Sequence, residues 1–527
     1  MIESLRARRG LVTAPHHLAA QAGLSVLREG GNAIEAMVAA AATIAVVYPH
    51  MNGIGGDGFW LIDVPGRAPI AIDASGPAGA NVERGLYGAA TSISPRGPLA
   101  AITIPGAVAG WGAALAVSEP LGGRIHLSRL VEEAVHHARA GTAVTGTQAR
   151  NTLAKQDELR PCPGFAETYL LSGAAPVVGD VLTNVRLAET LATIGQDGTD
   201  SLYRGQIAEA LSQDLREAGS PLTAGDLAGY RAERVTPLSV ELSAGRVFNH
   251  PPPTQGLASL MILGLFERLG VTEADGFAHI HGLVEATKQA FIVRDRVVTD
   301  RGRVPVDPMS FLTGSDLTAR ACAIDPETAL PWPAPSQTGD TVWMGAVDQN
   351  GVAVSYIQSL FWEFGSGVVG RRTGIVMQNR GSSFSLDPQA LNALEPGRKP
   401  FHTLNPSLAH LADGRTLTYG TMGGEGQPQT QAAIFTRAAL FGQGLQRAIT
   451  APRWLLGRTW GEMTTTLKIE GRFAPALVDQ LIAAGHEVEV VADFTDQMGH
   501  AGGIIRRPDG WLEGATDPRS DGAVAGF

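Results

Sequence analysis

Thr341 stands where a proline-rich connector meets an apolar segment that alternates like a β-strand. The connector, residues 323–340, carries four prolines and no apolar period, whereas residues 341–348 alternate between two faces. A chain cut just before Thr341 would give this residue a free α-amino group. The ordinary pKa of such a group, about 8, allows it to take the proton of the neighbouring hydroxyl. Thr341 is therefore a candidate nucleophile, and without a cut it is one more β-branched strand residue.

The segment from Thr341 predicts the first strand of a buried hairpin. Asn350-Gly351 is a dipeptide that two-residue hairpin turns prefer, and a second apolar strand follows over residues 352–357. Further strands are predicted at 59–63, 374–377, 408–411 and 416–419. Helical spacing of apolar residues, with Asn32 as one cap, predicts helices at 18–28, 33–47, 127–138, 188–194, 207–218, 257–269, 278–296 and 429–440.

Patterns that resemble cofactor or metal sites lack the context that such sites need. Gly53–Gly58 has the Gly-x-Gly-x-x-Gly spacing of dinucleotide sites, but the predicted helix precedes it and the strand follows it. The histidine pairs at 136–137 and at 279 and 281 lack the i, i+4 spacing of a helical metal site. Cys162 and Cys322 give neither a disulfide framework nor metal-ligand spacing. We therefore expect no metal and no cofactor.

Composition favours a globular protein that acts on a small molecule. The chain has 527 residues, 44% of them hydrophobic, and no long polar linker divides it, so we expect one large fold or two closely merged lobes. The net charge of −10 disfavours nucleic acid and anionic membranes as partners. The first residues lack the apolar run of a secretory signal, and the longest apolar run, 36–47, is too short to span a bilayer. These features predict a cytoplasmic protein.

Six short blocks, in order along nearly the whole chain, resemble the γ-glutamyltransferase family of N-terminal nucleophile hydrolases. They are Glu29-Gly-Gly-Asn-Ala-Ile-Glu-Ala, Gly53-Ile-Gly-Gly-Asp-Gly-Phe, Pro251-Pro-Pro-Thr-Gln-Gly, Gly339-Asp-Thr, Thr421-Met-Gly-Gly and Gly514-Ala-Thr-Asp-Pro-Arg. The resemblance implies an α+β fold, the αββα four-layer sandwich, in which two stacked antiparallel sheets lie between helical layers. The predicted order of helices, strands and helices agrees with that fold.

The resemblance also implies that the precursor cleaves itself between Asp340 and Thr341. Residues 1–340 would form a large chain and residues 341–527 a small chain that begins with the nucleophile. The resemblance also leaves open that two cleaved heterodimers pair into a homodimer. Gly423 and Gly424 match the family's oxyanion pair, since backbone N–H groups in a glycine turn can stabilise the charge on an attacked carbonyl oxygen.

The substrate pocket departs from that of true γ-glutamyltransferases, which hold the glutamyl group with an arginine, two serines, and polar and acidic side chains. Ser75 replaces the arginine, and Arg380 stands in the segment that supplies the amine-binding residues. A site that loses an anion and gains a cation favours a carboxylate over an ammonium group. Arg380 is therefore a candidate anion clamp, and otherwise a surface ion-pair partner. The other candidate substrate-binding residues are Ser359, Asn379, Ser383, His402 and Thr403.

Segments 355–364 and 379–384 look like those of oxamate amidohydrolases, the branch of this family that releases ammonia and oxalate from oxamate. The resemblance thus implies a small amide that bears a carboxylate as the substrate. Trp343, Phe361 and Trp362 either narrow such a pocket or belong to the core.

Other functions remain open on the sequence. Within the family, Ser75 and Arg380 disfavour a glutathione hydrolase or transpeptidase, and a cephalosporin or glutaryl acylase would need a larger acyl pocket. The joint presence of Thr341 and Gly423-Gly424 disfavours an inactive paralogue that acts as a binding module. A Gly-x-Ser-x-Gly serine hydrolase is disfavoured because Gly365-Ser366-Gly367 lacks that spacing.

Overall fold

The computed structural model describes residues 3–332, 340–457 and 464–527. The helices of this part are α1 (His17–Arg28), α2 (Ala33–Val47), α3 (Ala107–Ser118), α4 (Leu127–Leu130), α5 (Glu132–Ala140), α6 (Gly146–Leu159), α7 (Phe165–Tyr169), α8 (Val185–Asp197), α9 (Gln206–Ala218), α10 (Ala224–Gly229), α11 (Gly256–Arg268), α12 (Phe277–Val297), α13 (Gly314–Ala321), α14 (Gly426–Phe435), α15 (Leu445–Thr450) and α16 (Pro475–Ala483).

The strands of the same residues are β1 (Leu5–Ala7), β2 (Gly10–Ala14), β3 (Asp57–Asp63), β4 (Ile70–Ala74), β5 (Thr142–Ala143), β6 (Val181–Leu182), β7 (Glu233–Val235), β8 (Leu238–Leu242), β9 (Gly245–Asn249), β10 (Asp340–Asp348), β11 (Ala353–Phe361), β12 (Ser407–Leu411), β13 (Thr416–Thr421), β14 (Trp454–Leu456), β15 (Leu467–Glu470), β16 (Val488–Val491), β17 (Ala501–Arg506), β18 (Leu512–Thr516) and β19 (Ala523–Gly526).

Two large antiparallel sheets contain most of these strands. In the described residues, sheet 1 has the order β1-β18-β17-β13-β12-β9-β8 and sheet 2 has the order β19-β2-β10-β11-β3-β4-β7. Smaller sheets join β14, β15 and β16, and β5 and β6. The predicted hairpin thus occupies the middle of sheet 2, where both strands are hydrogen-bonded on either side.

Helical layers cover the outer faces of both sheets. Helices α1, α2 and α3 pack on sheet 2 through a core that includes Ile44 and Met344. Helices α11 and α14 pack on sheet 1, with α12 against them, through a second core that includes Leu260 and Tyr419. The predicted α+β sandwich of four layers is therefore confirmed.

Between the sheets, Trp343 of β10 fills the space that glycines of sheet 1 leave open. A Cβ atom at Gly420 of β13 or at Gly502 of β17 would collide with its ring. Trp343 also donates from Nε1 to Ser355 Oγ over 2.9 Å. It is a core residue, packed with Phe59, Ile357 and Leu404, that brings β10 close to β13.

Helix α2 begins at the predicted cap. Asn32 Oδ1 accepts the N–H groups of Ile34 and Glu35, and the Glu35 carboxylate accepts the Asn32 N–H over 2.8 Å, which forms a capping box. Every residue of α2 is buried. Asp348, at the end of β10, accepts the N–H of Ala33 over 2.9 Å and so joins the hairpin to this helix.

The buried hairpin of β10 and β11 is confirmed, but its turn differs from the predicted two-residue turn at Asn350-Gly351. The Asp348 N–H donates to the Val352 carbonyl over 3.1 Å, and Gly351 has a φ of 82°. Three residues therefore form the loop. The Asp348 carboxylate explains the longer turn, because it accepts the N–H groups of Asn350 and Val352.

The start of β10 also differs from the prediction. The strand begins at Asp340, one residue before Thr341. The described part of the connector, residues 323–332, is mostly exposed, as predicted. Residues 333–339 lie outside the described residues, so the prediction for them stays a prediction.

Most other predicted elements are present, and three predictions are wrong. The helix predicted at 127–138 is broken at Val131 into α4 and α5, because Val131 has a ψ of 0°. Residues 374–377 form no strand, since Val376 and Met377 each bridge to a different loop. The helix predicted at 429–440 begins earlier, and after Phe435 it continues as a π-helical turn over Thr436–Leu440.

Among the described helices, none combines the length and the apolar character that a membrane crossing requires. The cytoplasmic location stays a prediction.

We expect the substitution Asp348→Ala to lower the free energy of unfolding by about 2–4 kcal/mol, because three backbone N–H groups, two in the turn and one at the start of α2, then lose the buried carboxylate that accepts them. Asp509→Ala is the matched control. It removes an exposed turn aspartate that accepts the Trp511 N–H, and we expect it to change the free energy by less than about 1 kcal/mol. Thermal melting of both variants is the measurement, and equal midpoints would contradict the role of Asp348.

Candidate active site

Thr341 lies in β10 directly beside Ser359 of β11. Its Oγ1 donates a hydrogen bond to Ser359 Oγ over 3.2 Å, and both side chains are fully buried. The pairing of the two strands is irregular between Asp340 and Val342, so the backbone bulges at Thr341. Bulges re-aim side chains next to active sites. The residue predicted as nucleophile therefore sits at a local break in an otherwise regular strand.

Phe361, at the end of β11, has a strained backbone. Its φ is 85°, a region that bulky side chains rarely adopt. Its N–H donates to Ser359 Oγ over 2.8 Å, and its ring lies 3.9 Å from the Arg380 guanidinium carbon. These two contacts hold Phe361 in that conformation, and they place a cation beside the strand that carries Ser359.

Arg380 lies in the 3-10 turn Arg380–Ser383, and its side chain is fully buried. It is therefore not the surface ion-pair partner that the sequence left open. Within the described part of the chain, none of its three guanidinium nitrogens has a hydrogen-bond partner. Burial lowers the pKa of Arg380 to about 9, against the opposing effect of the Asp57 charge. A buried cation with unused donors is suited to bind an anion.

Asp57, the first residue of β3, is a functional residue that the sequence reasoning missed. It pairs with Ser359 across the strands, and its carboxyl is fully buried. Its Oδ1 accepts from Gln378 Nε2 over 3.0 Å and from the Gly76 N–H over 3.1 Å. Burial raises its pKa to about 7, although Arg380 and these hydrogen bonds act in the other direction.

His402 and Thr403 lie on the segment that faces Asp57. His402 Nε2 is 3.2 Å from Asp57 Oδ2, although the two atoms are not aligned for a hydrogen bond. Burial, and then the charge of Arg380, hold the pKa of His402 well below its ordinary value, so the ring is neutral. Thr403 Oγ1 is buried and has no hydrogen-bond partner among the described residues. The His402 ring thus lies beside Asp57, and its pKa responds to the charge of Arg380.

The glycine pair forms the turn between β13 and α14. Gly423 has a φ of 119° and Gly424 a φ of 53°, conformations that favour glycine. The turn leads into the N-terminus of α14, where backbone N–H groups and the helix dipole favour negative charge. Trp343, two residues from Thr341, contacts Gly420 three residues before the pair. The fold therefore brings the nucleophile strand and the glycine turn to the same end of the two sheets.

Gln255 joins the glycine turn to the segment that carries His402. Its Nε2 donates to the Gly424 carbonyl over 2.8 Å and to the Thr403 carbonyl over 2.7 Å. Its Oε1 accepts from Arg294, which also binds Glu425 over 3.1 Å. Gln255 belongs to the Pro251–Gly256 block, and this contact gives that block a physical role in positioning the site.

Two of the predicted substrate-binding residues have side chains that are engaged within the protein. Ser75 Oγ donates to Asp73 Oδ1 over 2.5 Å, and Asp73 also binds Lys399 over 2.9 Å. Burial works to raise the pKa of Asp73, but Lys399 and Ser75 outweigh it, so the net pKa lies below the ordinary value. Asn379 accepts the Trp362 N–H and donates to the Pro95 carbonyl, each over 3.0 Å.

Ser383, the last residue of the turn that begins at Arg380, has no partner for its buried hydroxyl among the described residues. Trp362 lies 5.7 Å from the Arg96 guanidinium carbon, away from Arg380. Of the three aromatic residues weighed for the pocket, only Phe361 contacts the Arg380 side chain.

Two cavities adjoin this cluster. One of about 150 Å³ is lined in part by Phe401 and Glu425, the neighbours of His402 and Gly424. The other, of about 890 Å³, is more open and has Asp73 and Lys399 in its wall. The first therefore lies beside Glu425, the residue that follows the glycine pair, and the second lies beside Asp73, the hydrogen-bond partner of Ser75.

A cluster of His281, Glu285 and His486 has the residue types of a metal site. However, His281 Nδ1 is bonded to His486 Nε2 over 2.9 Å, and His281 Nε2 is bonded to the Asp325 carbonyl over 2.9 Å. Lys288 binds the Glu285 carboxylate over 2.7 Å. These contacts occupy the atoms that would hold an ion, so the cluster is a hydrogen-bonded network.

Comparison with known proteins agrees with this geometry. The family model of gamma-glutamyltranspeptidase matches residues 19–527. The oxamate amidohydrolase proenzyme of Klebsiella pneumoniae is 55% identical over 98% of this chain and 98% of its own length. The glutathione hydrolase proenzyme of Escherichia coli is 30% identical over 99% of this chain and 93% of its own.

Solved structures show the same relationship. The cephalosporin acylase from Bacillus halodurans superposes with a TM-score of 0.91 at 34% identity, over 100% of this chain and 97% of its own. Its architecture matches the two stacked sheets and their helical layers. The chain therefore belongs to the gamma-glutamyltranspeptidase family of N-terminal nucleophile hydrolases, and it is an amide-bond hydrolase made as a proenzyme.

Proposed function

We propose that this protein is a self-cleaving threonine amidohydrolase that converts oxamate and water into oxalate and ammonia. The cut between Asp340 and Thr341 gives a large chain of residues 1–340 and a small chain of residues 341–527. The similarity to the Klebsiella pneumoniae oxamate amidohydrolase proenzyme supports the choice of substrate. No cofactor is part of the proposal.

The observation that carries the proposal is the buried guanidinium of Arg380. It has no hydrogen-bond partner in the described residues, and Phe361 covers one of its faces. Phe361 in turn contacts Ser359, the partner of Thr341. A cation this close to the nucleophile strand fits a substrate whose carboxylate is directly next to the amide to be cleaved.

In the cut, Thr341 Oγ attacks the carbonyl carbon of Asp340, and the peptide amide becomes an ester. Water then hydrolyses the ester and leaves Thr341 with a free α-amino group. Ser359 Oγ accepts the hydrogen bond of the Thr341 hydroxyl and so orients it for this attack. The bulge at Thr341 frees the peptide from the regular strand pairing.

In turnover, the α-amino group takes the hydroxyl proton as Thr341 Oγ attacks the amide carbon of oxamate. The backbone N–H groups of Gly423 and Gly424 stabilise the oxyanion. Its collapse expels the amine, which leaves as ammonia with that proton. Water then attacks the oxalyl ester, the free α-amino group takes a proton from this water and passes it to Thr341 Oγ as the ester bond breaks, and oxalate is released.

The residues around Arg380 favour a short acyl group. Asp57, His402 and Phe361 are buried and lie next to the guanidinium, so they limit the space beyond a carboxylate that Arg380 binds. A glutaryl or cephalosporin acylase is the second candidate, because the Bacillus halodurans acylase shares the architecture. Pairing of two cleaved heterodimers, and a cytoplasmic location, remain part of the proposal.

We expect Thr341→Ala to remain a single uncut chain, because the hydroxyl that attacks the Asp340 carbonyl is gone. Thr341→Ser is the matched control, since it keeps a hydroxyl, and we expect it to yield two fragments. A denaturing gel with mass analysis of the fragments is the measurement. Two fragments from Thr341→Ala would contradict the proposed cut.

We expect ammonia release from oxamate to exceed release from glutaryl amide, and anilide release from γ-glutamyl anilide to be low. Arg380→Met should lower kcat/KM for oxamate by about 10- to 150-fold, because a hydrogen bond to a charged group is worth about 1.5–3 kcal/mol. The effect on uncharged oxamide should stay below about tenfold. Faster turnover of glutaryl amide by the wild type would favour the acylase instead.

We expect Arg380→Met to raise the thermal melting temperature, because it replaces a buried cation that lacks hydrogen bonds with an apolar side chain of similar length. Arg453→Met is the matched control. Arg453 is equally buried but binds Asp517 over 2.6 Å, so its loss should lower the stability by about 3–5 kcal/mol. A fall in stability for both variants would show that Arg380 has a structural partner.

A further inference from the structure

We propose that Asp57 binds the substrate's carboxylate in its neutral, protonated form, so that the site takes up a proton together with its anionic ligand. Asp57 is then a specificity-determining residue that acts beside Arg380. The inference rests on the proposed function, because it concerns the same carboxylate site. It goes beyond that function, since it makes anion binding depend on a second carboxyl.

The geometry of Asp57 leaves one oxygen available for a ligand. Oδ1 is held by Gln378 and by the Gly76 N–H. Oδ2 is buried and has no hydrogen-bond partner in the described residues. Its neighbour His402 is not aligned to donate to it. A proton on Oδ2 therefore provides a hydrogen-bond donor that no described residue uses.

The charges around Arg380 require this protonation. One guanidinium can balance one carboxylate in a buried site, and a ligand carboxylate next to an ionised Asp57 would place two anions on a single cation. Like charges at close range favour the protonated form of one of them. Protonated Asp57 instead donates a hydrogen bond to the ligand, so attraction replaces repulsion.

The other charged and titratable groups that face Asp57 do not take this role. They are Arg380, His402, Asp73 with Lys399, Tyr203, Tyr230 and Tyr356. Burial raises the pKa of each phenol, which keeps all three neutral. The pKa of His402 is lowered by burial, and that of Asp73 lies below its ordinary value because Lys399 outweighs burial.

The direction of the pH effect follows from the Asp57 carboxyl. Burial raises its pKa to about 7 before a ligand binds, and a ligand carboxylate raises it further. Below pH 7 the proton is already in place, so affinity is constant. Above pH 7 binding must take up a proton, and the dissociation constant rises by up to about tenfold per pH unit.

Oxalate is a suitable probe, because it is the product of the proposed reaction, undergoes no chemistry and keeps its charge above pH 6. We expect calorimetric titration of the cleaved wild-type enzyme to give a nearly constant dissociation constant from pH 6 to 7 and a rising one from pH 7 to 8, which is below the pKa of about 9 to which burial lowers Arg380. Titrations in buffers with different heats of ionisation should show proton uptake that approaches one per site. Uncharged oxamide should bind without either effect.

Asp57→Asn mimics the protonated acid, since its amide can accept at Oδ1 and donate at the other position. We expect this variant to lose the rise in the dissociation constant above pH 7. Asp73→Asn is the matched control, a buried carboxyl next to the site, and it should keep the rise. If Asp57→Asn keeps the wild-type slope, or if oxalate binds the wild type without proton uptake, the inference is overturned.

A ligand-free measurement separates this inference from the proposed function. The infrared difference spectrum of the wild type minus Asp57→Asn at pH 6 should contain the C=O band of a protonated carboxyl. Absence of oxamate turnover together with this band would overturn the proposed function and leave the neutral Asp57 in place. Turnover of oxamate without this band would support the proposed function and overturn the neutral Asp57.

Discussion

A buried guanidinium without a hydrogen-bond partner in the described residues is the constraint on which the active site depends. Arg380 lies where water cannot solvate it, and the Phe361 ring offers it only the face of an aromatic system. Its charge opposes the effect of burial on Asp57 and adds to the effect of burial on His402. The ionisation of Asp57 and His402 thus depends on burial and on this one buried cation.

The fold positions this cation through a few contacts with the nucleophile hairpin. Ser359 lies between Thr341 on one neighbouring strand and Asp57 on the other. Adjacent strands are about 4.8 Å apart, so these two residues are separated by two strand spacings, or about 10 Å. Trp343, at the same end of the hairpin, packs against Gly420 and Gly502 of the opposite sheet. Regular strand pairing therefore sets the spacing of groups that are far apart in the chain.

Much of the fold could be predicted from the sequence, because long elements have strong local signals. The apolar run and the Asn32 cap identified α2, and alternation identified β10. Arg380 was identified because it stands in the segment that supplies the amine-binding residues in the family that the chain resembles. Asp57 was missed because the sequence interpretation of this segment concerned only its glycines. The environment of the Asp57 carboxyl depends on burial by residues that are distant in the sequence. Residues 374–377 are an apolar segment that looks like a strand, but their partners are single residues in two loops, which no local pattern can reveal.

The amide of Gln255 couples two parts of the site that would otherwise vary independently. One nitrogen holds both the glycine turn and the backbone next to His402, and its oxygen is fixed by Arg294. Gln255 thus fixes the separation between the proposed oxyanion donors at Gly423 and Gly424 and the segment of His402, which belongs to the proposed carboxylate site. A fixed separation of this kind favours acyl groups of one length. Evolution toward longer substrates within this architecture would first require the loss of these Gln255 hydrogen bonds, and only then a larger pocket.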